Sequence, residues 1–411
     1  DGYGELVVAS FGLGDVSPSR AGAVYVFRGG PAGPASTPSQ TLRSPNPGST
    51  GFFGLSMAAV GDLNGDGYGD LAIGAPTEET DLSVTGRAYL YRGGPGGLVG
   101  APLQLDTTRS FASYGYVTAP GDLNGDGFAD LLIEDPAFEA YLFLGRDLPT
   151  ATADTTLTTP PLTDPLALFP TGVGAAGDVD GDGLPDALVG ASRGTTDGGL
   201  VLVFPGAASG LETMPREELE VNEDFFVMAL AGGDLDGDGY SDALVSSLRR
   251  VSTRPFVVEE RFQLHRGGEA GLRSVPETLR EAPEAMSPGF GSSLAAPADF
   301  DGDGFLDVGV GGPGSNQAFV YFSDEGGLAE TPLVLDEPPG VLGRTRFGQA
   351  VASVDVNGDG LADLVVGEFE REGRTHLFLG SAEGLSDAPS LTLQNPDTGR
   401  DGGGFGLGLA Y

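Results

Sequence analysis

Cysteine is absent from this 411-residue chain, so no disulfide holds it and no thiol can serve as a nucleophile. Tryptophan is absent too, which removes the best stacking surface for sugars and cations. The two histidines, His265 and His376, fall in matching strands of different repeats where other copies carry Tyr or Phe. Strand packing is their expected role, and no Ser-His-Asp grouping is visible from spacing. No stretch approaches the roughly 18 apolar residues of a membrane span. Basic residues are scarce: 21 Lys and Arg face 59 Asp and Glu, for a formal charge of −38. A surface of that sign repels nucleic acid and anionic lipid and argues against both as partners.

What is abundant is patterned. The 70 Gly and 30 Pro recur at fixed places, which marks them as turn punctuation rather than low complexity. The acidic residues cluster in a nine-residue phrase, Asp-x-Asp/Asn-Gly-Asp-Gly-x-x-Asp, that begins at Asp62, Asp122, Asp178, Asp234, Asp299 and Asp355. A truncated copy, Asp1-Gly2-Tyr3-Gly4-Glu5, opens the chain. The chain is therefore expected to continue a longer protein, with any targeting signal outside it.

That spacing has a chemical reading. A hard cation such as Ca2+ takes six to eight oxygens at ~2.3–2.6 Å, and Gly at position 6 permits the turn that gathers them. Positions 1, 3, 5 and 9 offer side-chain oxygens, and position 7 offers its carbonyl. In the first complete loop these are Asp62, Asn64, Asp66, Tyr68 and Asp70; in the second, Asp122, Asn124, Asp126, Phe128 and Asp130. The third supplies Asp178, Asp180, Asp182, Leu184 and Asp186, and the fourth Asp234, Asp236, Asp238, Tyr240 and Asp242. The fifth has Asp299, Asp301, Asp303, Phe305 and Asp307; the sixth Asp355, Asn357, Asp359, Leu361 and Asp363. About six Ca2+ sites are expected, with a seventh at Asp1 and Glu5 if that loop is completed. Six dications would bring the charge to −26 (−38 + 12).

An EF-hand begins similarly but needs a bidentate Glu at position 12 and a following helix. Position 12 here is Ile73, Ile133, Val189, Val245, Val310 and Val366, within apolar runs of strand type. The loops therefore join strands. A site repeated six times fits a structural clamp better than a catalytic centre, which needs an open position and a nearby base.

The loops recur at intervals of 60, 56, 56, 65 and 56 residues, and each interval holds four strands. Strand A, before the loop, is small and apolar (Phe53 to Val60; Arg346 to Ala352). Strand B, after it, is apolar on both faces (Leu71 to Gly74; Leu364 to Gly367). Strand C alternates (Ala88 to Tyr91) and strand D is the most polar (Glu218 to Val221). Small residues first and polar residues last describe a propeller blade. The chain starts in strand B (Leu6 to Ala9) and ends on a stretch that reads as strand A, about 404–411. The expected fold is all-β: one domain, 1–411, a seven-bladed β-propeller of four-stranded antiparallel blades, its ring closed when the C-terminal strand joins the N-terminal blade.

Phe53-Gly54, the acidic loop, and Gly74-Ala75-Pro76 together resemble the FG-GAP repeat of integrin α-subunit propellers. Other copies drift: Tyr114-Gly115 replaces Phe-Gly, and Ile133-Glu134-Asp135-Pro136 departs from Gly-Ala-Pro. Without cysteine and with so many acidic loops, the chain resembles a prokaryotic, secreted relative. The resemblance implies structural Ca2+ in the A–B loops and a ligand, protein or glycan, taken on the opposite face by the B–C and D–A loops.

Two B–C loops stand out: Thr77-Glu78-Glu79-Thr80-Asp81, and a basic stretch with Arg249, Arg250 and Arg254. These arginines are candidate partner contacts; the plainer expectation is that they neutralise Glu259 and Glu260. Arg28, Arg92 and Arg266 precede Gly-Gly in equivalent turns, where a solvated or turn-bracing role is expected. The leading function is a calcium-stabilised, extracellular or cell-surface adhesion module, monomeric within a larger protein. Enzymatic relatives of polysaccharide-lyase or phospholipase type are the alternative, and a structural spacer the third.

Overall fold

The computed structural model describes residues 3–10, 22–46, 51–80, 83–84, 86–105, 114–136, 139–158, 168–192, 198–221, 225–253, 256–282, 289–339, 345–369, 373–396, 405–406 and 408–410. Among them every regular element is a β-strand, and no helix is long and apolar enough to cross a membrane. Seven successive blades, each built of antiparallel strands in the order A-B-C-D, make a seven-bladed β-propeller.

One compact unit comprises Ser56–Asp234 and Asp238–Ala282 and holds blades two to five. Blade two shows the plan: Ser56–Gly61, Asp70–Ala75, Arg87–Arg92 and Val99–Leu105, each paired antiparallel with the next. Strand B is buried along its whole length, on both faces, which is why its sequence does not alternate. One core joins blades two and three through Leu90, Val117, Leu131, Ile133 and Tyr141. Blade five is the longest, with strand B over Asp242–Thr253 and strand C over Phe256–His265.

The other unit comprises Asp1–Leu55, Leu235–Gly237 and Pro283–Tyr411 and holds blades one, six and seven. Here the two chain ends share a sheet. Leu409–Ala410 pairs with Leu6–Ser10 (Val7 opposite Ala410, Val8 opposite Leu409), followed by Ala23–Phe27 and Gln40–Leu42. Phe405 packs edge-on against Tyr25 and Phe27, filling blade one from the C-terminal segment. Blade six departs from the plan. Its strands B, C and D are Val308–Gly312, Gln317–Tyr321 and Leu333–Asp336, but its inner edge pairs only through isolated bridges, Leu294 to Val310 and Ala298 to Asp307. Pro297 lies between those bridges and has no N–H to continue a ladder.

The glycine of the Gly-Ala-Pro stretch has a specific task. A Cβ at Gly367 would overlap the carbonyl oxygen of Gly406, and one at Gly74 that of Gly115. The end of one strand B thus meets the Phe-Gly or Tyr-Gly of the next blade at backbone contact distance.

Candidate metal centres at the strand A–B hairpins

Each acidic loop is folded by its own carboxylates. In blade seven the position-1 side chain, Asp355, accepts the N–H groups of Gly358 (2.7 Å) and Asp359 (3.2 Å) on Oδ1 and of Gly360 (3.0 Å) on Oδ2. Position 3, Asn357, accepts from Asp359 at 2.9 Å, and position 5, Asp359, accepts from Leu361 at 2.9 Å. These Asx turns bend the chain around the side chains. Gly358 and Gly360 adopt φ of 71° and 88°, where a side chain would be strained. The pattern recurs from Asp62, Asp122, Asp178, Asp234 and Asp299.

Position 9 does a second job that its spacing does not announce. Asp130 Oδ2 accepts the N–H of Leu123 (2.8 Å) and Oδ1 that of Gly145 (2.8 Å), just beyond strand C. Asp186, Asp307 and Asp363 make the same two bonds in their blades. The carboxylate staples the A–B loop to the C–D turn and is buried in each case.

The loops thereby gather negative charge. One oxygen each from Asp178, Asp180 and Asp186 lie within 4.8 Å of one another, and Asp299, Asp301 and Asp303 do likewise. Burial, and then the other carboxylates of the loop, outweigh the backbone N–H donors. Together they push Asp130, Asp186 and Asp363 up to about 6 and Asp307 to about 7. Donors that are all oxygen, crowded and carboxylate-rich, suit a hard cation. Side-chain N–H groups already lean on them: Asn64 Nδ2 lies 3.3 and 3.4 Å from the two oxygens of Asp70, and Arg266 Nη1 donates to Asp242 Oδ2 at 2.6 Å. The residues present fit a hard divalent cation.

The position-7 residues Tyr68, Phe128, Leu184, Tyr240, Phe305 and Leu361 donate their N–H groups to position 5. In the truncated loop, Asp1 lies outside the described residues. Arg266 is not solvated: it is buried and bonded to Asp242 and Glu277, whereas Arg28 and Arg92, preceding the same Gly-Gly, are exposed.

The opposite ends of the blades hold different chemistry. Arg249 pairs closely with Glu259; Arg250 lies on strand B of blade five and Arg254 falls outside the described residues. Glu78 is not a free loop acid but fully buried, accepting from Tyr89 Oη at 2.6 Å and Arg87 Nη1 at 3.3 Å. Blade seven repeats that clasp. Glu368 accepts from Arg374 Nε at 2.9 Å and lies 3.2 Å from His376 Nε2, while His376 Nδ1 is 3.0 Å from Thr392 Oγ1. An Arg two residues ahead of the strand C aromatic or His is the signal that could have revealed both clasps. His265 is buried with Nδ1 2.8 Å from the Arg273 carbonyl.

The FG-GAP repeat model matches residues 53–91, 114–140 and 169–204, and the FG-GAP-like repeat model matches 299–366. Integrin alpha-5 of Xenopus laevis is 29% identical over 236 residues, covering 51% of this chain and 21% of that protein. Integrin alpha-7 of Rattus norvegicus is 34% identical over 151 residues, covering 36% and 12%. The chain is an integrin-α-like FG-GAP β-propeller. It spans about a fifth or less of the length of these relatives. A solved Bacteroides uniformis structure, provisionally named a 6-phosphogluconolactonase, aligns over 96% of this chain and all of its own at a TM-score of 0.54 and 14% identity. At that identity the likeness speaks to the fold alone. In this FG-GAP propeller the acidic loops lie within the matched repeats of blades two, three, four, six and seven.

Proposed function

We propose that this FG-GAP propeller is a calcium-stabilised binding module of an extracellular protein, engaged in adhesion to a protein or glycan through its B–C and D–A loops. The carrying observation is the repeated acidic hairpin, whose side chains are bent inward by their own backbone while burial drives up the position-9 carboxyls Asp130, Asp186, Asp307 and Asp363. A dication held by positions 1, 3, 5 and 9, with the position-7 carbonyl, would remove that repulsion and lock strands A and B together. At extracellular calcium, sites with dissociation constants of ~10⁻⁴–10⁻³ M are substantially filled, which favours an exterior setting. The integrin likeness supports adhesion rather than catalysis, and it is consistent with a chain that is not an enzyme.

Chelation tests the metal reading. A site at ten times its dissociation constant adds about 1.4 kcal/mol to the folded state, so stripping several sites should lower the thermal midpoint by many degrees, reversibly on adding calcium. An unchanged midpoint would discard structural calcium. Protein pull-down and a glycan panel, each with and without calcium, test the binding role.

A further inference from the structure

The six complete loops are not equal in charge. Those of blades two, three and seven carry Asn at position 3 and three Asp each; those of blades four, five and six carry Asp there and four Asp each. Where Asn is present, its amide brings N–H donors into the loop. Asn124 Nδ2 donates to Asp126 at 2.9 Å and Asn357 Nδ2 to Asp359 at 2.8 Å.

In blades four and five the fourth carboxylate is met by an arginine. Arg216 Nη1 pairs closely with Asp180 Oδ2. Arg266 Nη1 bonds Asp242 Oδ2 at 2.6 Å and its Nη2 bonds Glu277 at 3.1 Å. Each pairing takes its loop from −4 to −3 (−4 + 1), the value of the Asn loops. Both arginines are particular to their blades. The place of Arg216, whose N–H bonds a strand C carbonyl, is taken by Ser39, Asp154, Glu277 and Ser390 elsewhere. Arg28 and Arg92, at the place of Arg266, are exposed. Blade six has neither device. Among the described residues, Asp299, Asp301, Asp303 and Asp307 meet backbone N–H donors and no ion-pair partner, so this loop alone keeps its full −4.

We propose that Arg216 and Arg266 are internal counter-ions that supply part of the positive charge in the loops of blades four and five, leaving the blade-six loop as the chain's most cation-dependent site. This rests on the calcium reading above. The two arginines differ in how far they yield. The Arg216 side chain is 38% exposed and can swing into solvent when a dication arrives, whereas that of Arg266 is 5% exposed and anchored twice. Blade four is then a competitive, weaker site, and blade five keeps its internal charge at any calcium concentration.

The test is a calorimetric calcium titration of the chelator-stripped full chain, with thermal midpoints measured in parallel. Arg216→Gln should tighten one site by about tenfold or more, and Arg216→Lys, which keeps the charge, should not. Asp301→Asn, which lowers the blade-six loop to the charge of its neighbours, should weaken the tightest site by about tenfold. Arg216 is exposed enough that its variants are expected to fold, so the test stands even if Asp301→Asn does not. A wild-type chain that takes up no calcium overturns the calcium reading together with this inference. Wild type that binds calcium, with Arg216→Gln and Asp301→Asn titrating identically to it, overturns this inference alone.

Discussion

Every strand B has two unlike ends. At or just before its start lies position 9, an Asp in all six complete repeats, and in blades three, four, six and seven that residue makes one and the same pair of backbone bonds. Twelve residues beyond position 1, near the other end of strand B, the chain offers Gly74, Glu134, Gly190, Ser246, Gly311 and Gly367. Partners there are side chains: a Tyr and Arg on Glu78, a His and Arg on Glu368, an Arg on Glu259. The difference teaches where variation is tolerable. A carboxylate that satisfies two buried backbone donors can be replaced by nothing else of its size, so that end repeats. Side-chain pairs can be exchanged blade by blade without touching the ladder, so the other end is free to differ and is the better place to read a partner.

The comparison breaks first at the repeating end, where Asp363→Ala should do more damage than any substitution at the varying end. It strands the N–H groups of Gly380 and Val356, which now donate at 2.9 and 3.0 Å to a fully buried carboxylate. Each orphaned buried donor costs about 1–3 kcal/mol, so a loss of roughly 2–5 kcal/mol is expected. Relief of repulsion from Asp355 and Asp359 works the other way, and calcium in the buffer should cancel that relief. The measurement is denaturant unfolding in calcium. A loss below about 1 kcal/mol would show that the staple is dispensable.

Much of this architecture is legible in the sequence alone. The interval between acidic phrases, the unbroken apolar strand B and the complementary chain ends give blade count and closure, because burial on two faces writes itself into local sequence. The converging loop is legible for the same reason: its Asx turns are closed by residues two to five apart. What cannot be read depends on distant partners. The staple joins Asp186 to Gly206 across strands B and C, 20 residues on. Arg28, Arg92 and Arg266 share an Arg-Gly-Gly context, yet only Arg266 turns inward, where Asp242 and Glu277 can both receive it. Glu78 reads as a loop acid because its burial is decided by Tyr89, one strand away. Blade six keeps its period but loses a regular inner strand, and Pro297 is the visible hint.

At the varying end, the sharpest probe is Glu134. It occupies a place that is Gly in four of the other blades with a complete loop, and its Oε2 is buried without a hydrogen-bond partner. Burial, and next Asp135, raise its carboxyl from 4.5 to about 8. A raised acid binds its proton more tightly in the folded chain than in the unfolded one. Its contribution is therefore fully present below about 4.5 and is lost as pH climbs towards about 8. Glu134→Gln should be silent near pH 4.5 and stabilising at pH 8, by roughly 1–3 kcal/mol. A thermal shift that is the same at both pH values would mean that the carboxyl is not held neutral by the fold.

The smallest effect is expected at Arg249 and Glu259, whose side chains are 36% and 51% exposed. A pair so open to solvent adds about 0.2–1 kcal/mol, so Arg249→Ala and Glu259→Ala should each leave the thermal midpoint nearly where it was. Binding separates two roles that stability cannot. If Arg249 only neutralises Glu259, both variants retain a partner captured by the wild-type chain equally well. If the guanidinium is a partner contact, Arg249→Ala weakens capture, whereas Glu259→Ala releases the guanidinium and strengthens it. Opposite signs from two thermally silent substitutions would place recognition at the end of the blade that the ladder leaves free, and equal silence would remove Arg249 from the partner surface.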